Sequence, residues 1–244
     1  MSEFKLPTEQ VELPSKGLLY PEDNPLASGQ VEIKYMTAKE EDILTNQSYI
    51  KKGIVLDKLL QSLIVDKAIK YDDLIVGDKN ALLIAARILG YGATYEFEYD
   101  GERQTVDLSN LDNTPFDETL ITKGKNEFDF QLPKTKTNIS FKILNGKDER
   151  SVERELQGLR KINKDASPEL STRLKYIITA VEGNPDKKGI REFVDNYLLA
   201  QDSRALRNYI KEVQPDVDLT FFPEGSNQEA TIPIGLNFFW PDAW

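Results

Sequence analysis

The 244-residue chain contains no cysteine and no histidine. It therefore has no disulfide, no thiolate or imidazole metal ligand, no cysteine nucleophile and no histidine general base, and a Ser-His-Asp arrangement is excluded. Any chemistry would have to rest on carboxylates, lysine, tyrosine or serine. The lack of cysteine also fits a reducing cytoplasm. No apolar run reaches the length of a membrane span, so stable membrane insertion is not expected. Met1-Ser2-Glu3-Phe4-Lys5-Leu6-Pro7 lacks the basic and apolar regions of a signal peptide, and the protein is expected to stay where it is made. Positive charge is in deficit: 31 lysines and arginines face 41 aspartates and glutamates, for a formal net charge of -10. Such a chain as a whole repels a phosphate backbone, and nucleic acid is not an expected partner. Repeats of fixed period and low-complexity tracts are absent too.

What is present reads as a well-folded chain, long enough for one large domain or two ordinary ones and able to bury roughly three quarters of its unfolded surface. Residues 1–30 read as an extended arm, because Pro7, Pro14, Pro21 and Pro25 each remove a backbone donor and bias the preceding residue away from helix. Within it, Leu18, Leu19 and Tyr20 follow Gly17, and this apolar run either tucks against its own domain or offers a docking surface. From Val31 the pattern becomes regular. Val31, Ile33 and Tyr35 alternate as in a half-buried strand. Thr37 and Glu40 form a capping box that starts a helix. Asp78 is placed to cap a second helix carrying Ala81, Leu82, Leu83, Ile84, Ala85, Ala86, Ile88 and Leu89, with Gly90 to end it. A helix apolar nearly all round belongs in the middle of a domain.

Thr94–Tyr99 and Thr105–Leu108 alternate on either side of Asp100-Gly101, the signature of a hairpin with a type I′ turn. A second pair runs through Phe128, Phe130 and Leu132, then Ile139, Phe141 and Ile143. From Asp148 the period becomes helical, in stripes through Val152, Leu156 and Leu159; Leu170, Leu174, Ile177, Ile178 and Val181; Ile190, Phe193, Val194, Tyr197 and Leu198; and Leu206, Tyr209, Ile210 and Val213. A break is expected at Asp202-Ser203. Strand character returns from Val217 to Phe222 and from Ala230 onwards, around a turn at 223–226. The fold class is α+β: N-terminal helices with small antiparallel hairpins, then a helical bundle and a C-terminal β-hairpin. The expected divisions are an arm at 1–30, an α+β domain at 31–146, a helical subdomain at 147–214 and an aromatic-tailed hairpin at 215–244.

Motifs with chemical meaning are few. Gly90-Tyr91-Gly92 follows a helix instead of leaving a strand, so the mechanism of a dinucleotide loop does not apply. Asn184 to Gly189 reads as a turn. The pairs Asp216 and Asp218, and Glu127 and Asp129, share a face if extended and could hold a divalent cation with help from elsewhere; on an acidic surface they read as solvated side chains. Arg150, Arg154, Arg160 and Lys161 lie among Glu149, Glu153 and Glu155 and read as helix pairing. The C-terminal aromatics Phe221, Phe222, Phe238, Phe239, Trp240 and Trp244 either complete the protein's own core or anchor another subunit.

Several stretches, taken in their order, resemble the baseplate hub subunits and hub assembly proteins of T-even-type contractile-tailed bacteriophages. They are Leu13-Pro14-Ser15-Lys16-Gly17 with Leu19-Tyr20-Pro21, Met36 to Leu44, Val76-Gly77-Asp78-Lys79 through Gly92, Asp202 to Arg207, and Phe238-Phe239-Trp240-Pro241. The turns at Asp100-Gly101 and Pro223–Gly225 lack the paired cysteines that some relatives carry, so zinc binding does not carry over. The resemblance implies a non-enzymatic late protein without cofactor that works in the host cytoplasm. It would assemble the central hub by binding another hub protein, or be retained in the virion baseplate. The expected contact residues are Leu18, Leu19, Tyr20, Phe238, Phe239, Trp240 and Trp244. A carboxylate-metal hydrolase is the competing enzyme class.

Overall fold

The computed structural model describes residues 6–162, 168–223 and 228–239. The fold is α+β. Strand β1 (Thr8–Glu12) pairs antiparallel with β2 (Gln30–Lys34), Val11 opposite Val31 and Thr8 opposite Lys34. The first thirty residues thus hold a regular element that their prolines argued against. Pro7 and Pro14 bracket the strand without entering it, and β2 supplies the partner that completes its backbone bonding. Val31 and Ile33 turn inward.

Helices α1 (Ala38–Leu44), α2 (Gln47–Lys51) and α3 (Val55–Leu63) follow and lead to α4 (Val76–Tyr91). Ala81, Leu82, Leu83, Ile84 and Ala86 of α4 are buried, which places it centrally as its composition predicts. Its ends differ from the expected ones. The cap is Ile75, two positions before the helix's second residue Gly77, and Asp78 lies inside the first turn. Gly90 stays helical, and the positive φ of 86° belongs to Gly92. Gly90 serves close packing instead: a Cβ there would lie 1.9 Å from Met36 Cε. Gly77 does the same at the other end, where a Cβ would lie 2.0 Å from the Pro215 carbonyl oxygen.

Strands β3 (Thr94–Tyr99) and β4 (Glu102–Asp107) make the expected hairpin. Asp100 and Gly101 take φ of 52° and 80°, as a type I′ turn requires. Strands β5 (Phe128–Gln131) and β6 (Asn138–Phe141) also pair as expected, with Phe128 opposite Phe141. They belong to a three-stranded sheet, completed beside β6 by β7 (Ile178–Val181). That strand corrects the helical stripe drawn through Val181. Helix α5 (Gly146–Ile162) is followed by α6 (Glu169–Ile177), which stops one residue before Ile178. Ile178, Thr179 and Val181 are β-branched and meet the open edge of β6, so a ladder replaces the next helical turn. Segment 147–214 is therefore no free-standing bundle.

Helices α7 (Lys187–Asn196) and α8 (Ala200–Val213) complete the second half. The break between them falls at Tyr197–Leu199, and Asp202-Ser203 lies within the first turn of α8. Two short strands, β8 (Thr220–Phe221) and β9 (Ala230–Thr231), form the C-terminal pair before a 3-10 turn at Leu236–Phe239. The turn residues Glu224–Asn227 lie outside the described residues. One continuous apolar core runs from Leu13 through α4 to Phe239, and a small satellite of Leu144, Val152 and Leu156 sits beneath α5.

The approach of Gly77 to the 215–216 backbone yields a stability prediction. Gly77→Ala should cost about 3 kcal/mol, at the upper end of overpacking effects. Gly158→Ala, where a Cβ meets nothing within 4 Å, should gain about 0.5–1 kcal/mol. Urea denaturation measures both, and a Gly77→Ala midpoint equal to wild type would contradict the close contact.

Candidate interaction site

Glu40, Asp78 and Asp202 are each 0% exposed, and each is the third residue of its helix. A carboxylate there sits against the positive end of the helix dipole, which offsets part of the cost of burying charge. The rest is offset by donors brought from other segments. Asp78 accepts from the Ser15 amide (2.9 Å), the Ser15 hydroxyl (2.6 Å) and the Tyr20 hydroxyl (2.6 Å). The Tyr20 oxygen accepts in turn from the Ile75 amide at 3.1 Å. Burial pushes the Asp78 carboxyl up from its ordinary value, while the Ser15 and Tyr20 bonds pull it down. Burial together with the neighbouring Asp78 charge raises the Tyr20 phenol, which keeps its proton and remains a donor. The arm bends around this carboxylate at Gly17, whose φ of 77° and close approach to Ala27 admit no side chain.

Glu40 accepts from the Thr37 amide (3.0 Å) and hydroxyl (2.7 Å), from Lys34 Nζ (2.7 Å) and from Ser62 Oγ (2.6 Å). Burial raises its pKa, but the bonds from Lys34, Ser62 and Thr37 outweigh that and hold it at about 2. Asp202 accepts from the Lys134 amide (2.7 Å) and the Thr135 amide (3.1 Å), tying the β5–β6 turn to α8. At the far end of α4, Arg87 is 1% exposed and faces carbonyls instead of a carboxylate. It donates to Phe238 O (2.8 Å), Gly92 O (2.6 Å) and Thr94 O (3.0 Å). Carbonyls at the negative end of the helix are suited to a buried cation.

These tethers correct the expected contact residues. Leu19, Tyr20, Phe238 and Phe239 are buried in the chain's own core, and Leu18 is half-buried. Asp78 takes the hydroxyl of Tyr20, and Arg87 takes the carbonyl of Phe238. The Phe238 ring lies edge-on to Tyr95 at 4.8 Å and to Phe239 at 5.4 Å. None of these four offers exposed surface, so the self-packed alternative describes them. Trp240 and Trp244 lie outside the described residues.

The acidic pairs are engaged locally. Asp216 accepts from Asn80 (3.0 Å) and Gln214 (3.1 Å), and Asp218 from the Thr220 amide (2.9 Å). Asp129 accepts from Ser140 and Glu127 from Thr179. Arg150 pairs with Asp72, and Glu149 with Arg173 at 2.8 Å, so these two charges bridge elements, whereas Arg160 and Glu153 pair along α5 at 4.0 Å. Among the described residues, no group of three or more Asp or Glu is placed to hold a metal ion. No described helix is long and apolar enough to cross a membrane.

A cleft of 470 Å³ opens where the two halves of the chain meet. Helix α4 supplies Val76, Lys79, Asn80 and Leu83. The segment entering α5 supplies Lys142, Ile143, Leu144 and Glu149, and helices α6 and α8 add Arg173, Ile177, Ile210 and Gln214. Ile234 closes it from the C-terminal segment. The floor is aliphatic and the rim is charged. Lys79 pairs with Asp57 (3.0 Å), Lys142 with Asp148 (2.7 Å) and Arg173 with Glu149. The lining contains no nucleophile with an adjacent base, and its one carboxylate is held by Arg173; such a cleft can take up apolar groups and orient them by charge. The sequence reading missed it because its residues are scattered from 56 to 234.

Two expected outcomes follow from the tethers. Asp78→Ala leaves the Ser15 and Tyr20 donors without their acceptor and should cost about 3 kcal/mol; limited proteolysis should then cut within residues 6–21, whereas wild type resists. Glu40 has a folded pKa of about 2 against an ordinary 4.5, so its stabilisation is complete above pH 4.5 and is lost as pH falls toward 2. Urea midpoints at stepped pH should show wild type losing ~2 kcal/mol more than Glu40→Gln across that window; equal slopes would contradict the assignment.

Comparison with models of protein families, with characterised proteins and with solved structures finds no match to this chain.

Proposed function

We propose that this chain is a non-enzymatic assembly protein of a contractile-tailed phage, which binds another protein of the baseplate hub in the host cytoplasm. The supporting observation is how the stretches that resemble the hub family are used. They are spread from residue 13 to residue 241, yet the described parts of the first, second, third and last join in one frame. Ser15 and Tyr20 of the first stretch bond to Asp78 of the third. Met36 of the second packs on Gly90 of the third. Arg87, also of the third, donates to Phe238 of the last. Asp202 of the fourth holds the β5–β6 turn. A resemblance carried by the residues that close the fold supports a shared architecture more than a set of short chance matches would.

The cleft supports the binding role. It is a concave apolar surface with a charged rim at the junction of both halves. On this reading the assembly work is recognition: apolar groups of the partner leave water in the cleft, and rim charges set their orientation. A part retained in the virion is the second form of the same reading, since a hub component would need the same surface.

Co-expression with each hub protein of the same phage, followed by size-exclusion chromatography, should give one stable co-eluting pair. Failure to co-elute with every hub protein would refute the proposal. Mass spectrometry of purified particles separates its two forms: a fixed copy number identifies a virion component, and absence identifies a transient assembly factor.

A further inference from the structure

We infer that the outer edge of β4 is a self-association site, where a second copy of this chain adds its own β4 antiparallel about a two-fold axis at Thr105; this is independent of the assembly role. Strands β3 and β4 form a two-stranded sheet, so among the described residues β4 has a strand partner on one side only. The register decides which groups face the other side. The Leu108 amide donates to Ala93 O at 2.9 Å, which makes that a bonded pair, and bonded and non-bonded pairs alternate along an antiparallel ladder. Glu102, Gln104 and Val106 therefore bond to β3, whereas the N–H and C=O groups of Arg103 and Thr105 and the N–H of Asp107 point away from it. All three residues are exposed.

An open edge accepts any extended segment unless its side chains discriminate, and those of β4 select β4 itself. Antiparallel pairing centred on Thr105 sets Arg103 of one protomer opposite Asp107 of its partner, and the same contact recurs across the axis. Thr105 exchanges backbone bonds with its own copy, and the Asp107 amide reaches the partner's Arg103 carbonyl. Opposite charges and facing threonines are favourable cross-strand neighbours. Parallel pairing would set Arg103 beside Arg103, and a two-residue slip in either direction would lose both ion pairs. Strand β1 is the contrast. Its Leu13 amide donates to Gly29 O at 2.8 Å, so by the same alternation Thr8, Gln10 and Glu12 face outward. That strand carries Glu9 and Glu12 and no cation, and like charge blunts its edge against a second copy.

Both charged side chains have bonding capacity left. Arg103 pairs with Glu96 through Nη2, and its side chain is 72% exposed, with further guanidinium donors available. Asp107 takes both Ser109 bonds on Oδ1, at 2.9 Å and 2.6 Å, which leaves Oδ2 for a partner. Glu98 lies opposite Arg103 on β3, so in the dimer each arginine would stand between two carboxylates. The edge is also held in place before binding: Tyr95 packs on Phe238 and Phe97 on Phe221, which lowers the ordering cost of association. One strand pair is a small isologous interface, of the weak class that buries less than about 1,200 Å², so the dimer forms as concentration rises.

Sedimentation equilibrium of the full chain over a concentration series tests the inference, and wild type should show a monomer–dimer equilibrium. Thr105→Pro should weaken the dimer roughly tenfold or more; because the Thr105 N–H faces outward, proline removes no bond of the monomer. Arg103→Asp and Asp107→Arg each set like charges opposite one another and should weaken it by a similar factor. The double variant Arg103→Asp/Asp107→Arg restores opposite charges and should recover the wild-type constant. A mixture of the two single variants should form a heterodimer in preference to either homodimer, since the acids of one meet the arginines of the other. Circular dichroism and urea midpoints identify the folded variants, and the charge set decides alone if Thr105→Pro does not fold. A wild type that stays monomeric throughout, a dimer indifferent to the single variants, or a folded double variant as weak as the singles would overturn the inference. Co-elution with a hub protein, or its failure, bears on the assembly role alone.

Discussion

The structure depends on carboxylates buried at the third position of helices. A buried carboxylate without partners is prohibitively costly, so each can exist only if distant donors are delivered to it. Asp78 requires Ser15 and Tyr20, Glu40 requires Lys34 and Ser62 besides its own Thr37, and Asp202 requires two amides from the β5–β6 turn. The penalty for failing to form any of these sets is what makes the arrangement specific. Hydrophobic burial alone would tolerate many placements of the arm around residues 13–20; the Asp78 carboxylate tolerates one.

Helix α4 is the element on which these constraints converge. Its first turn receives the arm, its middle supplies the aliphatic core, and its last turn offers Arg87 to the C-terminal segment. The same helix forms one wall of the cleft, through Val76, Lys79, Asn80 and Leu83. The helix that ties the arm to the C-terminal segment therefore also shapes the surface proposed for partner binding. Of the C-terminal aromatics, which the sequence leaves open between core and anchor, Phe221, Phe238 and Phe239 are taken up by the chain's own core, whereas Phe222 is 62% exposed.

Much of the fold was legible locally. The Asp100-Gly101 turn dictated its hairpin because few residue pairs accept two positive φ angles. Thr37 and Glu40 announced the start of α1, and the bond from the Thr37 amide to Glu40 forms as that pattern requires. Other readings failed for a physical reason they share: the local signal was compatible with two outcomes. An aspartate before an apolar helix can cap it or sit in its first turn, and Asp78 does the latter because Ser15 and Tyr20 are there to meet it. A short β-branched run can extend a helix or form a strand, and Ile178–Val181 forms a strand because β6 has an open edge. A lone arginine amid Ala85, Ala86, Ile88 and Leu89 was the one overlooked local signal, since a cation in an apolar helix must find buried acceptors.

The residue sequence by itself settled what depends on neighbours a few positions apart: the α+β character, the two hairpins, the helical stripes other than the one drawn through Ile178 and Val181, and the absence of thiol and imidazole chemistry. Tertiary structure alone decided which polar residues are buried, where α6 yields to β7, that Tyr20 and Phe238 face inward, and that a cleft lined by residues from 56 to 234 opens between α4, α6 and α8. Those outcomes are set by long-range donors, acceptors and open strand edges, and the chain's local pattern carries no record of which distant segment will supply them.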